Sequence, residues 1–248
     1  TMNNHLSPAE QAIQKNAITF AKKNKKKLAK HLANIDIYKP EADPVSVFMA
    51  GSPGAGKTET AKALLSAFES SGNKILRIDV DDVRDCFEGY NGSNSHLVQA
   101  GANILIEAIH DHAIKYKQSF IFDGTFAHYD KANLNIQRSL KRNRTVQILY
   151  VYLDPKQAWE FVKARETVEG RRILPELFVK QYFEARDVVN RIKAEFGKDI
   201  RIDLLVKNLD GSNRFYRDNI DKIDNYLVEK YDKSSILNIV NTFDKDAQ

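Results

Sequence analysis

Apolar positions along this chain follow two periods that take turns. Short runs rich in β-branched and aromatic residues predict strands at Val45–Ala50, Lys74–Val80, Ser119–Asp123, Thr145–Leu153 and Arg201–Val206. Between them the apolar residues return every three or four positions. Ala61, Leu64, Leu65 and Phe68 give a helix over 58–70, and similar patterns cover about 95–117, 130–142, 155–169 and 175–196. The helix at 155 carries Asp154 as its cap and Pro155 at its first position. Strand and helix alternating in this way imply an α/β fold. The expected form is a central parallel sheet with helices on both faces, joined by right-handed crossovers. Ligands in such sheets bind at the carboxyl ends of the strands, so the residues just after each strand are the candidates for chemistry.

Ahead of this core, Ser7-Pro8-Ala9-Glu10 has the form of a capping box with proline at the first helical position. Ile13, Ala17, Phe20, Ala21, Leu28, Leu32 and Ile35 then keep a helical apolar stripe with nothing in the local sequence to cover it. The proline-bounded segment Tyr38–Pro44 is a connector. Three units are therefore expected: 1–44, a basic amphipathic helix and connector; 45–210, the core; and 211–248, a helical extension after the polar turn Leu209-Asp-Gly-Ser-Asn213.

Composition changes this picture little. The chain has 248 residues, 42% of them hydrophobic, which suits one α/β domain with extensions. A single cysteine, Cys86, excludes an internal disulfide and fits a reducing compartment. No apolar run approaches the ~20 residues of a membrane span, no signal-peptide core precedes the first helix, and Thr1 before Met2 reads as a cloning remnant. The expected location is therefore cytoplasmic, without a membrane. Much of the net charge of +5 comes from Lys22, Lys23, Lys25, Lys26, Lys27 and Lys30 on the N-terminal helix. With no interleaved aromatics these read as a solvated face and not as a nucleic-acid surface.

The densest chemical signal is Gly51-Ser52-Pro53-Gly54-Ala55-Gly56-Lys57-Thr58, which fits G-x-x-x-x-G-K-[ST] between a predicted strand and a predicted helix. Glycines let backbone N–H groups turn inward around a β-phosphate, and the new helix points its positive end at the same place. Lys57 is expected at the β- and γ-phosphates, and Thr58 as the Mg²⁺ ligand, with Thr60 completing the nucleotide segment. The expected cofactors are a nucleoside triphosphate, ATP or GTP, and Mg²⁺, and the fold class sharpens to a P-loop NTPase or kinase.

Three further clusters follow strand ends. Ile78-Asp79-Val80-Asp81-Asp82 places three carboxylates beside the loop. Asp81 is the candidate base for an attacking hydroxyl, Asp79 its support at the acceptor side, and Asp82 a helix cap. Asp123-Gly124-Thr125 offers a second acidic strand end and a hydroxyl, both assigned to substrate, although a turn or cap explains Asp123 equally well. Finally, Arg165, Arg171 and Arg172 flank Gly170 between two helices and read as a lid. Arginine stays protonated and can neutralise charge on a transferring phosphoryl group. Arg165 and Arg172 are the preferred catalytic pair, with Arg171 on the substrate side.

Taken in order, GSPGAGKT (51–58), IDVDD (78–82), FDGT (122–125), ARET (164–167) and RILP (172–175) resemble the zeta/PezT toxin kinases over roughly 45–210. That resemblance implies a bacterial toxin–antitoxin kinase. It would transfer the γ-phosphate of ATP to the 3′-hydroxyl of the amino sugar in UDP-N-acetylglucosamine. Asp81 falls on the family's catalytic base, Lys57 and Thr58 on its nucleotide site, and Arg165 and Arg172 on its phosphate-clamping arginines. Asp123 stands where those toxins often carry Glu, and the lid is shorter. The resemblance also implies an antitoxin as partner, and the N-terminal helix is a candidate for a built-in restraint on the site. Two other readings stand beside it. One is a kinase for another hydroxyl acceptor (a different nucleotide, an antibiotic or a polynucleotide end), and the other a nucleotide-dependent switch that transfers nothing.

Overall fold

Strands that are apolar on both faces need a helical layer on each side, and the computed structural model has that arrangement. It describes residues 5–70, 72, 74–124, 126–169 and 172–246. The helices are α1 (Pro8–Leu32), α2 (Lys57–Ser70), α3 (Ser95–Lys115), α4 (Tyr129–Leu140), α5 (Pro155–Glu169), α6 (Pro175–Phe196) and α7 (Lys233–Asp246). The strands are β1 (Val45–Ala50), β2 (Leu76–Ile78), β3 (Phe120–Phe122), β4 (Thr145–Tyr152), β5 (Ile200–Lys207) and β6 (Asn213–Arg217). They form one sheet in the order β2-β3-β1-β4-β5-β6, parallel except for β6 against β5.

Strand period decides which side chain enters which layer. In β1, Phe48 and Ala50 join the core beneath α1, α3 and α4, while Val47 and Met49 join the core beneath α2, α5 and α7. Helix α6 contributes to both, through Val188, Val189 and Ile192 on one side and Phe178, Val179 and Tyr182 on the other. Because β1 lies between β3 and β4, the chain leaves it in opposite directions along the sheet. A crevice opens at its carboxyl end, and Gly51 is the first residue there.

Helix α1 is not left with a bare stripe. Its capping box forms as expected, with Glu10 N donating to Ser7 Oγ at 3.2 Å and Ser7 N donating to Glu10 Oε2 at 3.0 Å. Ala17, Ala21 and Ala29 are buried in the same core as α3, joined by Ile13, Phe20, Leu28 and Leu32. The connector is tied down too, since buried Gln118 donates to the carbonyls of Ala33 and Tyr38, both at 2.8 Å. The closest approach is at Gly101 in α3, where an added β-carbon would stand 2.8 Å from the Ala17 carbonyl oxygen. Gly101→Ala is therefore expected to lower stability by about 1–3 kcal/mol in urea unfolding, although alanine is the better helix former. A more stable variant would show that α1 yields freely.

The segment after residue 210 begins with a strand and not a helix. Leu209–Ser212 forms a tight turn, in which Asn208 N donates to Ser212 O at 2.8 Å and Gly211 adopts φ +84°, and β6 then pairs back along β5. Asn213-Arg-Phe-Tyr-Arg217 has no apolar alternation because, as an edge strand, it buries almost nothing. The Asp-Gly pair in the turn was the signal for a hairpin. Beyond it, buried Arg186 on α6 holds the returning chain through Asp224 (3.0 Å) and the Leu227 carbonyl (2.7 Å). No described helix is long and apolar enough to cross a membrane.

Candidate active site

At the crevice, the loop from Gly51 to Gly56 turns sharply enough that Gly51, Gly54 and Gly56 take φ of +144°, +76° and +91°. Side chains are excluded there for a second reason. A β-carbon on Gly51 would meet the Val151 carbonyl oxygen at 2.3 Å, and one on Gly54 the Ala158 carbonyl oxygen at 2.1 Å. The loop is thus wedged between β4 and α5. Lys57 curls back over it, donating from Nζ to the carbonyls of Gly51 (3.0 Å) and Ser52 (2.6 Å). A cleft of about 440 Å³ lies over the loop, lined by Pro53, Gly54, Gly56, Lys57 and Thr58. Gly51, Ser52, Ala55 and Thr60 sit outside that lining; Ser52, Ala55 and Thr60 are buried.

The opposite wall is acidic. Asp79, Asp81 and Asp123 all line the cleft, as the reading from strand ends expected. Asp79, not Asp82, is the cap: its Oδ1 accepts from Asp81 N at 2.8 Å and starts the 3-10 helix Val80–Cys86. Asp82 is instead a partner of Arg77 at 3.0 Å. Arg77 is one residue that sequence reasoning missed. From the middle of β2 its guanidinium pairs with Asp79, Asp82 and Asp123 together, the last at 3.0 Å. A lone cation inside the apolar run Ile75-Leu-Arg-Ile78 was its only signal.

Asp81 stands apart from this group. Its Oδ1 pairs with buried Arg84, three residues on, and its Oδ2 lies 3.5 Å from Arg165 Nη2. Helix α5 runs past Arg165 to Glu169, so the arginine is presented from within the helix and not from its end. Burial and the neighbouring Asp123 and Asp81 carboxylates push the Asp79 carboxyl up to about 7, against the Asp81 N–H and Arg77, which pull it down. A carboxyl whose folded pKa is raised makes folding less favourable as pH rises from the unfolded value near 4 to about 7. Asp79→Asn is therefore expected to gain stability relative to the original chain at pH 8 compared with pH 5, on the order of 1 kcal/mol. Parallel melting curves at the two values check this, and an equal difference at both would mean that Asp79 is ionised throughout.

A model of the zeta toxin family matches residues 29–221. The chain belongs to the zeta toxin family. As a member it is an ATP-dependent kinase, one of the kinase-like toxins of toxin–antitoxin systems. No curated protein matches it significantly. Among solved structures it is similar to one from the PezAT chromosomal toxin–antitoxin system of the human pathogen Streptococcus pneumoniae, at a TM-score of 0.61 and 16% identity, covering 96% of this chain and 95% of that one. It is also similar to the AvrRxo1-ORF1:AvrRxo1-ORF2 structure with sulphate ions, at a TM-score of 0.60 and 14% identity, covering 92% and 76%. These likenesses support the P-loop kinase fold.

The rest of the cleft faces away from the loop. Gln99 and Asn103 from α3, with Lys131 and Asn135 from α4 and His128 at its N-cap, line it, together with Phe48, Phe122 and Phe126. Phe48 and Phe122 stack with ring centroids 6.0 Å apart. Among these, none was singled out by sequence, because single amides on helices carry no local signature. Of the two described lid arginines, Arg165 reaches the cleft and Arg172 does not. Arg172 is exposed before α6, and its neighbour Ile173 lines the cleft in its place. Thr125 and Arg171 lie outside the described residues. No residue of α1 lines the cleft.

Proposed function

We propose that this kinase moves the γ-phosphate of ATP onto a hydroxyl of a small molecule, the 3′-hydroxyl of the amino sugar in UDP-N-acetylglucosamine. The observation carrying this reading is the placement of Asp81 in one cleft with Lys57 and Thr58, its Oδ2 3.5 Å from Arg165. A carboxylate there takes the proton of the attacking hydroxyl, while Lys57 and Arg165 meet the charge on the transferred group. Asp79, Asp123 and Thr125 are assigned to the acceptor. Arg172 is assigned to the phosphoryl group being transferred and Arg171 to the substrate. No cluster of acidic, histidine or cysteine side chains among the described residues is arranged to hold a metal alone, so Mg²⁺ relies on the Thr58 hydroxyl and the nucleotide's own oxygens. A Mg²⁺ ion held there would supply positive charge against the phosphate oxygens.

Incubation with ATP and Mg²⁺ across a panel of UDP-sugars, read by product mass, tests the acceptor. Phosphorylated UDP-N-acetylglucosamine supports the proposal; transfer to none of the panel, with ATP bound, overturns that acceptor. Another hydroxyl acceptor is the second reading, favoured by Asp123 in place of the family's frequent Glu and by the amide wall of Gln99, Asn103 and Asn135. In the cell the chain would act as a toxin, with a separate antitoxin covering the cleft. A restraint by α1 finds no support, since that helix is spent on α3.

A further inference from the structure

The nucleotide loop has a second lysine beside it. Lys207 closes β5, at the carboxyl edge of the sheet where the loop also lies. A β-carbon built on Gly56 would stand 2.8 Å from Lys207 Nζ, 3.2 Å from its Cε and 3.3 Å from its Cδ. The side chain therefore lies along the loop at Gly56, immediately before the Lys57-Thr58 start of α2. Sheet pairing breaks at this point. Val206 pairs with Phe215 and Lys207 with Asn213, so Arg214 is skipped. Such a bulge turns a strand end out of its regular path and re-aims its side chains.

Lys207 makes no hydrogen bond or ion pair with any described residue. A half-buried lysine laid against a loop that already holds Lys57 puts a second cation beside that loop, and no described residue takes up its donors. That arrangement gains from one kind of occupant, an anion shared between the two lysines. Lys57 is committed to the inner side of the loop, over the Gly51 and Ser52 carbonyls. Lys207 approaches from β5, at the residue from which the helix-terminal N–H groups continue along the bound phosphates.

We infer that Lys207 is a nucleotide-binding residue, a second phosphate-loop lysine that contacts the diphosphate part of the bound nucleotide and leaves the γ-phosphate to Lys57. The inference rests on the loop being the nucleotide site and is independent of the acceptor. Its contribution is ground-state binding common to ATP and ADP.

The test is titration of the full chain with ATP and with ADP, in Mg²⁺, for the unaltered protein, Lys207→Ala and Lys207→Arg. Affinity for both nucleotides is expected to fall about tenfold in Lys207→Ala, the scale of one charge-assisted hydrogen bond, and to recover at least in part in Lys207→Arg. The melting temperature without nucleotide should stay as it was. Unchanged affinities overturn the inference, as does a loss confined to ATP, which would place Lys207 at the γ-phosphate. A lowered melting temperature with unchanged affinity would make it a packing residue and also overturn it. Failure of the proposed acceptor leaves these titrations untouched, so the two ideas fail separately.

Discussion

Asp81→Asn is expected to lower phosphate transfer by ~10²-fold or more while leaving nucleotide affinity near its original value. The amide keeps the size of the side chain and can still accept from one arginine, but it takes no proton at neutral pH. Nucleotide affinity should persist because the loop is held in place by its packing on β4 and α5, and Lys57 by the Gly51 and Ser52 carbonyls. One structural cost accompanies the change. Arg84 is buried, and losing the full charge of its partner should lower stability by about 1–3 kcal/mol. The decisive comparison is therefore single-turnover transfer against nucleotide dissociation constant, at a temperature where both forms are folded. A variant with near-normal transfer would remove Asp81 from the role of base.

Gly54→Ala is expected to cost more than a loop substitution usually does, with nucleotide affinity falling by ~10²-fold or more. Two penalties add there. A β-carbon at φ +76° carries about 1–2 kcal/mol of strain. It would also overlap the Ala158 carbonyl oxygen at 2.1 Å and crowd Val162 Cγ2 at 3.0 Å, and neither belongs to a flexible side chain's far end. Relief requires the loop to lift away from α5, the helix that presents Arg165. Gly72→Ala is the control: its φ is +90° but a β-carbon there would meet no atom of the described residues within 4 Å. That variant should lose only the strain and keep its affinity. Equal losses of affinity in both would mean that backbone strain alone, and not the packing of the loop on α5, sets the site.

How well the sequence foretold these parts depends on how local each one is. The run Val45–Ala50 and the glycine pattern after it are self-contained, and the strand appears over the same residues. Lys74–Val80 and Ser119–Asp123 were read too long. Asp79 is drawn off to cap the 3-10 helix, and Ser119 Oγ is taken up by Val45 N at 2.9 Å and Glu41 at 2.8 Å, so the ladders stop at Leu76–Ile78 and Phe120–Phe122. β6 escaped notice because an exposed edge strand needs no apolar face. The acidic residues of the site were legible, since strand ends in this fold point to the crevice. Their organisation was not, because Arg77 acquires its partners only when β2 and β3 lie side by side.

That guanidinium also bears on how such a chain can change over generations. Asp79 and Asp82 lie in one motif and Asp123 in another, more than a helix apart in sequence, yet all three answer to Arg77. Losing Arg77 alone would leave three carboxylates facing one another, and losing one carboxylate alone would shift the balance on the other two. The two motifs are therefore expected to drift as a single heritable unit, each tolerating a new residue only when its counterpart changes with it.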